Sequence, residues 1–166
     1  IGLSRNNKHA SFGDIGLFAN WGIHCRPIAK LTSEWRGERY KRGDICTAPI
    51  GWGGGTGSSY FNFKATDRLG DTADAVADFY VEEIVPVFEE YASYQAIIPC
   101  LEGLADRWGG WDQALLLAYR LGGLEAKAST YEENRGKICI TDPAYSNYFD
   151  PFLARYRQEF GRQDGI

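Results

Sequence analysis

The sequence predicts an α+β fold, with a twisted antiparallel sheet in the N-terminal part packed by C-terminal helices. Three observations predict it. Apolar residues recur at period two from Ile15 to Cys25, the spacing of a half-buried strand. They recur at helical spacing from Ala73 to Tyr91. Strands come first and helices afterwards, an order that suits α+β better than a doubly wound sheet. The 166-residue chain is expected to form a single domain, mainly strands over 1–66 and mainly helices over 67–166.

The elements follow in order. In the first strand Ile15, Leu17, Ala19, Trp21, Ile23 and Cys25 share one face, with Phe18 the exception on the other. Pro27, with no amide to donate, ends or edges it. "LTSEW" then reads as a short helical turn or loop. "DICTAPIGW" is a second short strand, closed by Pro49 and glycines, and "SSYFNFKAT" a third. No crossover helix separates them, so antiparallel pairing is expected. Asp71 or Thr72 caps a long helix, with Asp74 in its first turn. Its apolar face is Ala73, Val76, Ala77, Tyr80, Ile84, Val87, Phe88 and Tyr91, and Pro86 should kink or divide it. The glycines of "RWGGWDQ" and "RLGGLEA" punctuate two further helices, Trp111–Leu121 and Leu124–Glu133, joined as an antiparallel hairpin. A last helix, Pro151 to Phe160, follows the turn-rich "ITDPAYSNYFD".

Composition excludes several functions. A net charge of −4 and scattered basic residues disfavour a nucleic-acid binder. The densest basic run, "WRGERYKRG" from Trp35 to Gly43, reads as a solvated turn or a patch for an acidic group. No apolar run approaches a membrane span, and "IGLSRNNKH" lacks the pattern of a signal peptide. The four cysteines are widely spaced, with no CxxC and no Cys/His cluster. Cys100 and Cys139 have apolar neighbours and read as small buried hydrophobes. A reducing, cytoplasmic compartment is expected, with two disulfides the alternative.

The stretch "GWGGGTGSS" from Gly51 to Ser59 raises the question of a phosphate cradle, and fails its tests. The phosphate-loop pattern needs a lysine, and none lies between Arg42 and Lys64. The frames starting at Gly51, Gly53 and Gly55 place Thr56, Ser58 and Tyr60 where a dinucleotide fingerprint needs glycine. The loop leads into a strand, whereas anion cradles open helices. It reads as a flexible strand connection, with Trp52 as a contact residue, and no cofactor is expected.

Catalytic patterns are equally sparse. His9 and His24 are the two histidines. His24 and Cys25 are strand neighbours pointing to opposite faces, so a hydrolase would pair His24 with Cys46. A metal site from His9, Asp14 and His24 has too few ligands to be expected. The paired acids Glu82–Glu83, Glu89–Glu90 and Glu132–Glu133 diverge on a helix and read as solvated faces. Glu34, Glu38, Asp44 and Asp67 lie in loops, and nothing in their spacing marks a glycosidase pair. Trp35, Trp52, Trp108 and Trp111 sit at turns or element ends, as core rim or as recognition surface.

The order of "SRNN" at Ser4–Asn7, the strand to Arg26, "EWR" at Glu34–Arg36, "YFNF" and "VEEIVPVFEEYAS" resembles an uncharacterised family of bacterial α+β domains. The resemblance covers residues 1–95 or so, and some members of that family act as immunity proteins beside toxin genes. It implies a strand ahead of the sheet, a helix after it, and no catalytic residues. The expected function is therefore non-catalytic protein binding through Trp35, Arg36, Arg39, Trp52 and Tyr60, with a basic toxin as partner and a homodimer as the other option. The alternatives are a Cys/His hydrolase using His24 and Cys46, and a carbohydrate or small-ligand module using exposed Trp and Tyr.

Overall fold

The computed structural model describes residues 2–6, 14–20, 23–40, 58–64, 68–106 and 110–161. These residues fall into two compact units.

The first unit holds strands β1 (Gly2–Asn6), β2 (Asp14–Asn20) and β3 (Ser58–Lys64), and helices α2 (Leu69–Phe79) and α3 (Val85–Glu90). The strands pair antiparallel in the order β1-β2-β3. Gly2 lies opposite Asn20, and Asp14 opposite Lys64. The strand expected to run to Cys25 is described as strand over Asp14–Asn20, residues 21–22 lie outside the described residues, and so does the strand expected over "DICTAPIGW".

Pro86 divides the long helix as expected, but the division has a form that spacing alone does not show. A π-helical turn, Tyr80–Ile84, separates α2 from α3, and Pro86 is the second residue of α3. Proline has no amide to donate, and a wider turn ahead of it absorbs the mismatch. The turn also rotates the apolar face. Ile84 is buried with Phe79, Val87 and Phe88 against it. Tyr80, expected on that face, is 41% exposed. The cap differs too: Arg68 is the N-cap and Asp71 lies in the first turn.

The second unit holds α1 (Arg26–Trp35), α4 (Tyr94–Glu102), α5 (Trp111–Leu121), α6 (Glu125–Thr141) and α7 (Pro143–Phe160). α1 replaces the expected strand end and short turn. Cys25 is its extended N-cap and Pro27 stands in the first turn, where a missing amide costs nothing. Ile28, Ala29, Thr32 and Ser33 are its buried face. α4 has no counterpart among the expected elements; its N-cap is Ser93, whose Oγ accepts from the Ala96 amide at 3.1 Å.

α5 fills its expected span and is buried from Asp112 to Tyr119. A helix apolar on every side needs neighbours all round, and α5 contacts α1, α4 and α6. Its end is a Schellman motif. Gly123 takes φ +73°, and the Leu124 amide donates to the Tyr119 carbonyl at 2.9 Å. α6 runs past its expected end at Glu133 to Thr141, because nothing breaks it before Asp142 and Pro143. α7 begins eight residues earlier than Pro151. Asp142 Oδ1 accepts from the Ala144 and Tyr145 amides at 2.9 and 3.1 Å. "DP" is thus a helix start rather than a turn.

The α+β fold class is corrected by these observations. Wherever side chains in this second unit are described they lie on helices or their links, and its core is all-α. The C-terminal helices bury their apolar faces against one another and against α1. Within this unit α5 finds its packing partners in the helices α1, α4 and α6.

Candidate binding surface

The start of α5 carries a buried polar network that ties three helices together. Asp112 and Gln113 are 2% and 1% exposed. Asp112 Oδ2 accepts from the Tyr145 hydroxyl at 2.8 Å, and Oδ1 from the Tyr148 hydroxyl at 3.0 Å and the Gln113 amide at 2.8 Å. The helix N-terminus also favours the anion. Burial and then Asp112 push the Tyr145 phenol well above its ordinary range, so it stays a donor. Gln113 Oε1 accepts from Arg36 Nε and Nη2 at 3.0 and 2.7 Å. Arg135, 9% exposed on α6, donates to Asp106 Oδ1 at 2.9 Å and lies over the Tyr131 ring. The Asp112 and Gln113 side chains are thus paired where they are buried, and buried polar groups paired in this way help to fix a core.

Gly110 makes the Arg36 contact geometrically possible. Its φ is +84°, and a Cβ there would overlap Arg36 Nη2. We expect Gly110→Ala to lose about 2 kcal/mol, from the left-handed backbone and the displaced guanidinium. Urea denaturation measures it, and Arg36→Ala should recover part of the loss.

The aromatic side of α7 closes the core. Phe149 and Phe152 are buried, with ring centroids 5.5 Å apart. Trp35 packs on Phe152 at 5.2 Å and on Phe160 at 6.2 Å. Of the residues expected to bind, Trp35 is thus half-buried against α7 and Arg36 holds Gln113. Arg39 is exposed, and Tyr60 lies on β3 opposite Phe18. The structure does not bring Trp35 and Arg36 together into one open patch. Trp52, Cys46, His9, Asp44 and Asp67 lie outside the described residues. His24 Nε2 is 2.8 Å from the Tyr40 hydroxyl. Glu34 pairs with Lys30 at 3.6 Å within α1.

Burial pushes the Cys25 and Cys100 thiols up. Burial, then the hydrogen-bonded Asp150, pushes Cys139 up to about 11. Among the described residues no group of three His, Cys, Asp or Glu could hold a metal ion. Among them, too, no helix is long and apolar enough to cross a membrane.

Among the described residues, an open surface lies between α6 and α7. A cleft of about 610 Å³ has Gly136, Cys139, Ile140 and Leu153 on its apolar side. Ile140 is 83% exposed. Charged residues rim the cleft: Lys137 pairs with Glu133 at 2.7 Å, Arg157 reaches out to Glu132 at 2.6 Å, and Asp150 accepts from the Ser146 hydroxyl. Pattern reasoning missed this surface because α6 was expected to end before it. Isoleucines at 138 and 140, within an otherwise polar helix, were the available signal.

Comparison of the chain with protein families, curated proteins and solved structures finds no match.

Proposed function

We propose that the chain is a non-catalytic protein-binding domain, and that its specific role is that of an immunity protein neutralising a basic bacterial toxin. The observation that supports binding is Ile140, 83% exposed at the edge of the α6–α7 cleft. Protein interfaces have an apolar centre and a polar rim, and this cleft has that layout. The paired rim charges leave the apolar centre as the cheapest area to remove from water. The net charge of −4 suits a basic partner by electrostatic complementarity. The immunity role draws on the resemblance in residues 1–95. A cytoplasmic setting belongs to the same reading, supported by the free thiols of Cys100 and Cys139.

Co-expression with the product of a neighbouring toxin gene should restore growth, and the two proteins should co-purify. Ile140→Asp should weaken that complex about tenfold or more without changing the melting temperature. Binding to no neighbour product would sink the immunity role. An unchanged affinity in Ile140→Asp would move the contact away from the cleft.

A further inference from the structure

A second, smaller concavity of about 370 Å³ lies where α4, α5 and α6 converge. Its walls include Glu102 at the end of α4, Tyr119 on α5, and Lys127, Thr130, Tyr131 and Asn134 on α6. The Lys127 ammonium sits in it, 3.4 Å from Glu102 Oε1 and 5.5 Å from the centroid of the Tyr119 ring. The Tyr131 ring stands edge-on to Tyr119 at 5.8 Å. A carboxylate beside an aromatic face is the chemistry that recognises an alkylammonium group.

The parts of this site differ in how firmly they are held. The Tyr119 side is fixed: the residue is 6% exposed, and its hydroxyl donates to Glu102 Oε1 at 2.6 Å. That bond keeps Glu102 charged, since the Tyr119 hydroxyl, with Lys127 adding to it, holds its carboxyl below the usual range against the opposing effect of burial. Lys127 is the loose part. Its side chain is 59% exposed, and its contact to Glu102 is long. An exposed ion pair of that kind contributes little. The cation is therefore exchangeable, while the receptor for it is preformed.

We propose that the Glu102–Tyr119–Tyr131 pocket is a binding site for the lysine side chain of a basic partner, with Lys127 as its internal placeholder. The source of the ammonium rests on the protein-binding reading above; the pocket's affinity for an alkylammonium does not. Binding costs only the outward swing of Lys127, a surface lysine with water as its alternative. The incoming ammonium takes the place that Lys127 leaves beside that carboxylate and ring.

The test is an NMR titration of the full chain with n-butylammonium chloride, which carries the lysine head and stem. Shifts should concentrate on the amides of Glu102, Thr130, Tyr131 and Asn134. Lys127→Ala removes the competitor on an exposed helical site, where alanine is well tolerated. It should tighten butylammonium binding about threefold or more. Glu102→Gln keeps an acceptor for Tyr119 and removes the charge; it should weaken binding about fivefold. Saturable shifts at these amides in Lys127→Ala, lost in Glu102→Gln, support the site. Equal, unsaturating shifts in all three proteins would overturn it and leave the cleft prediction for Ile140 untouched. If the butylammonium result holds and no basic protein binds, the pocket stands and the partner reading fails.

Discussion

Phe149→Ala should destabilise the helical unit by about 4 kcal/mol, the largest single-residue effect expected in this protein. Phe149 is completely buried. Its ring stacks on Tyr145 at 5.2 Å and meets Phe152 at 5.5 Å. Truncation loses the transfer free energy of the ring and leaves a cavity. The rings of Tyr145, Tyr148 and Phe152 stand against that cavity, and rigid rings have little room to close on it. The residual cavity therefore adds to the transfer cost instead of relaxing away. Urea denaturation followed by far-ultraviolet circular dichroism would read the loss as a lower midpoint with an unchanged slope. Phe149→Leu refills most of the volume and should recover more than half of it. A loss under about 1 kcal/mol in Phe149→Ala would mean that α7 does not pack where it is described.

Asp112→Ala should cost about 3 kcal/mol for a different reason. The carboxylate accepts three hydrogen bonds, and its removal strands the hydroxyls of Tyr145 and Tyr148 in a buried site. Each unpaired buried donor costs on the order of 1–3 kcal/mol, whereas the net value of a made bond is nearer 1. That asymmetry makes a sharp prediction. If the loss comes from stranded donors, adding Tyr145→Phe and Tyr148→Phe to Asp112→Ala should restore most of the stability, because the Gln113 amide is then the one former partner of the carboxylate left unpaired. If the carboxylate acts mainly through the α5 dipole, the phenylalanines should restore nothing. The coupling measured by this cycle decides between the two.

Particular residues show where the sequence was informative. α5 was legible from end to end. Its glycine punctuation and unbroken apolar run leave a buried helix as the simplest solution. α7 was half legible: the aromatic spacing from Phe152 to Phe160 was plain, but "DPAYSNYFD" carries the same Asp and Pro that mark turns. Only the cap geometry at Asp142 separates the two meanings. The π-helical turn at Tyr80–Ile84 could not be read, because spacing arguments assume a uniform 3.6-residue turn and an inserted residue moves Phe79 inward in place of Tyr80. α1 was hidden by its start, since Pro27 closes strands and opens helices alike. The fold class failed for a tertiary reason: whether helices cover a sheet or one another depends on faces that pair across the chain.

The same limit applies to function. Asp112 reads as a first-turn acid favoured by the helix dipole, and nothing local announces its two tyrosines, 33 and 36 residues away. Glu102 and Lys127 are separated by 25 residues, and the helical hairpin brings them together. The residues expected to bind were chosen for type and turn position. Trp35 was spent on packing against α7, while the surface that stands open uses isoleucines at the end of a polar helix.

Binding of a protein partner at the α6–α7 cleft is read out by hydrogen exchange on the complex with a neighbouring toxin gene's product. Added protection is expected in Glu133–Ile140 and Asp150–Arg157, with little change along buried α5, which is already protected when free. Protection confined to residues 2–6, 14–20 and 58–64, with the cleft segments exchanging as in the free chain, would contradict it.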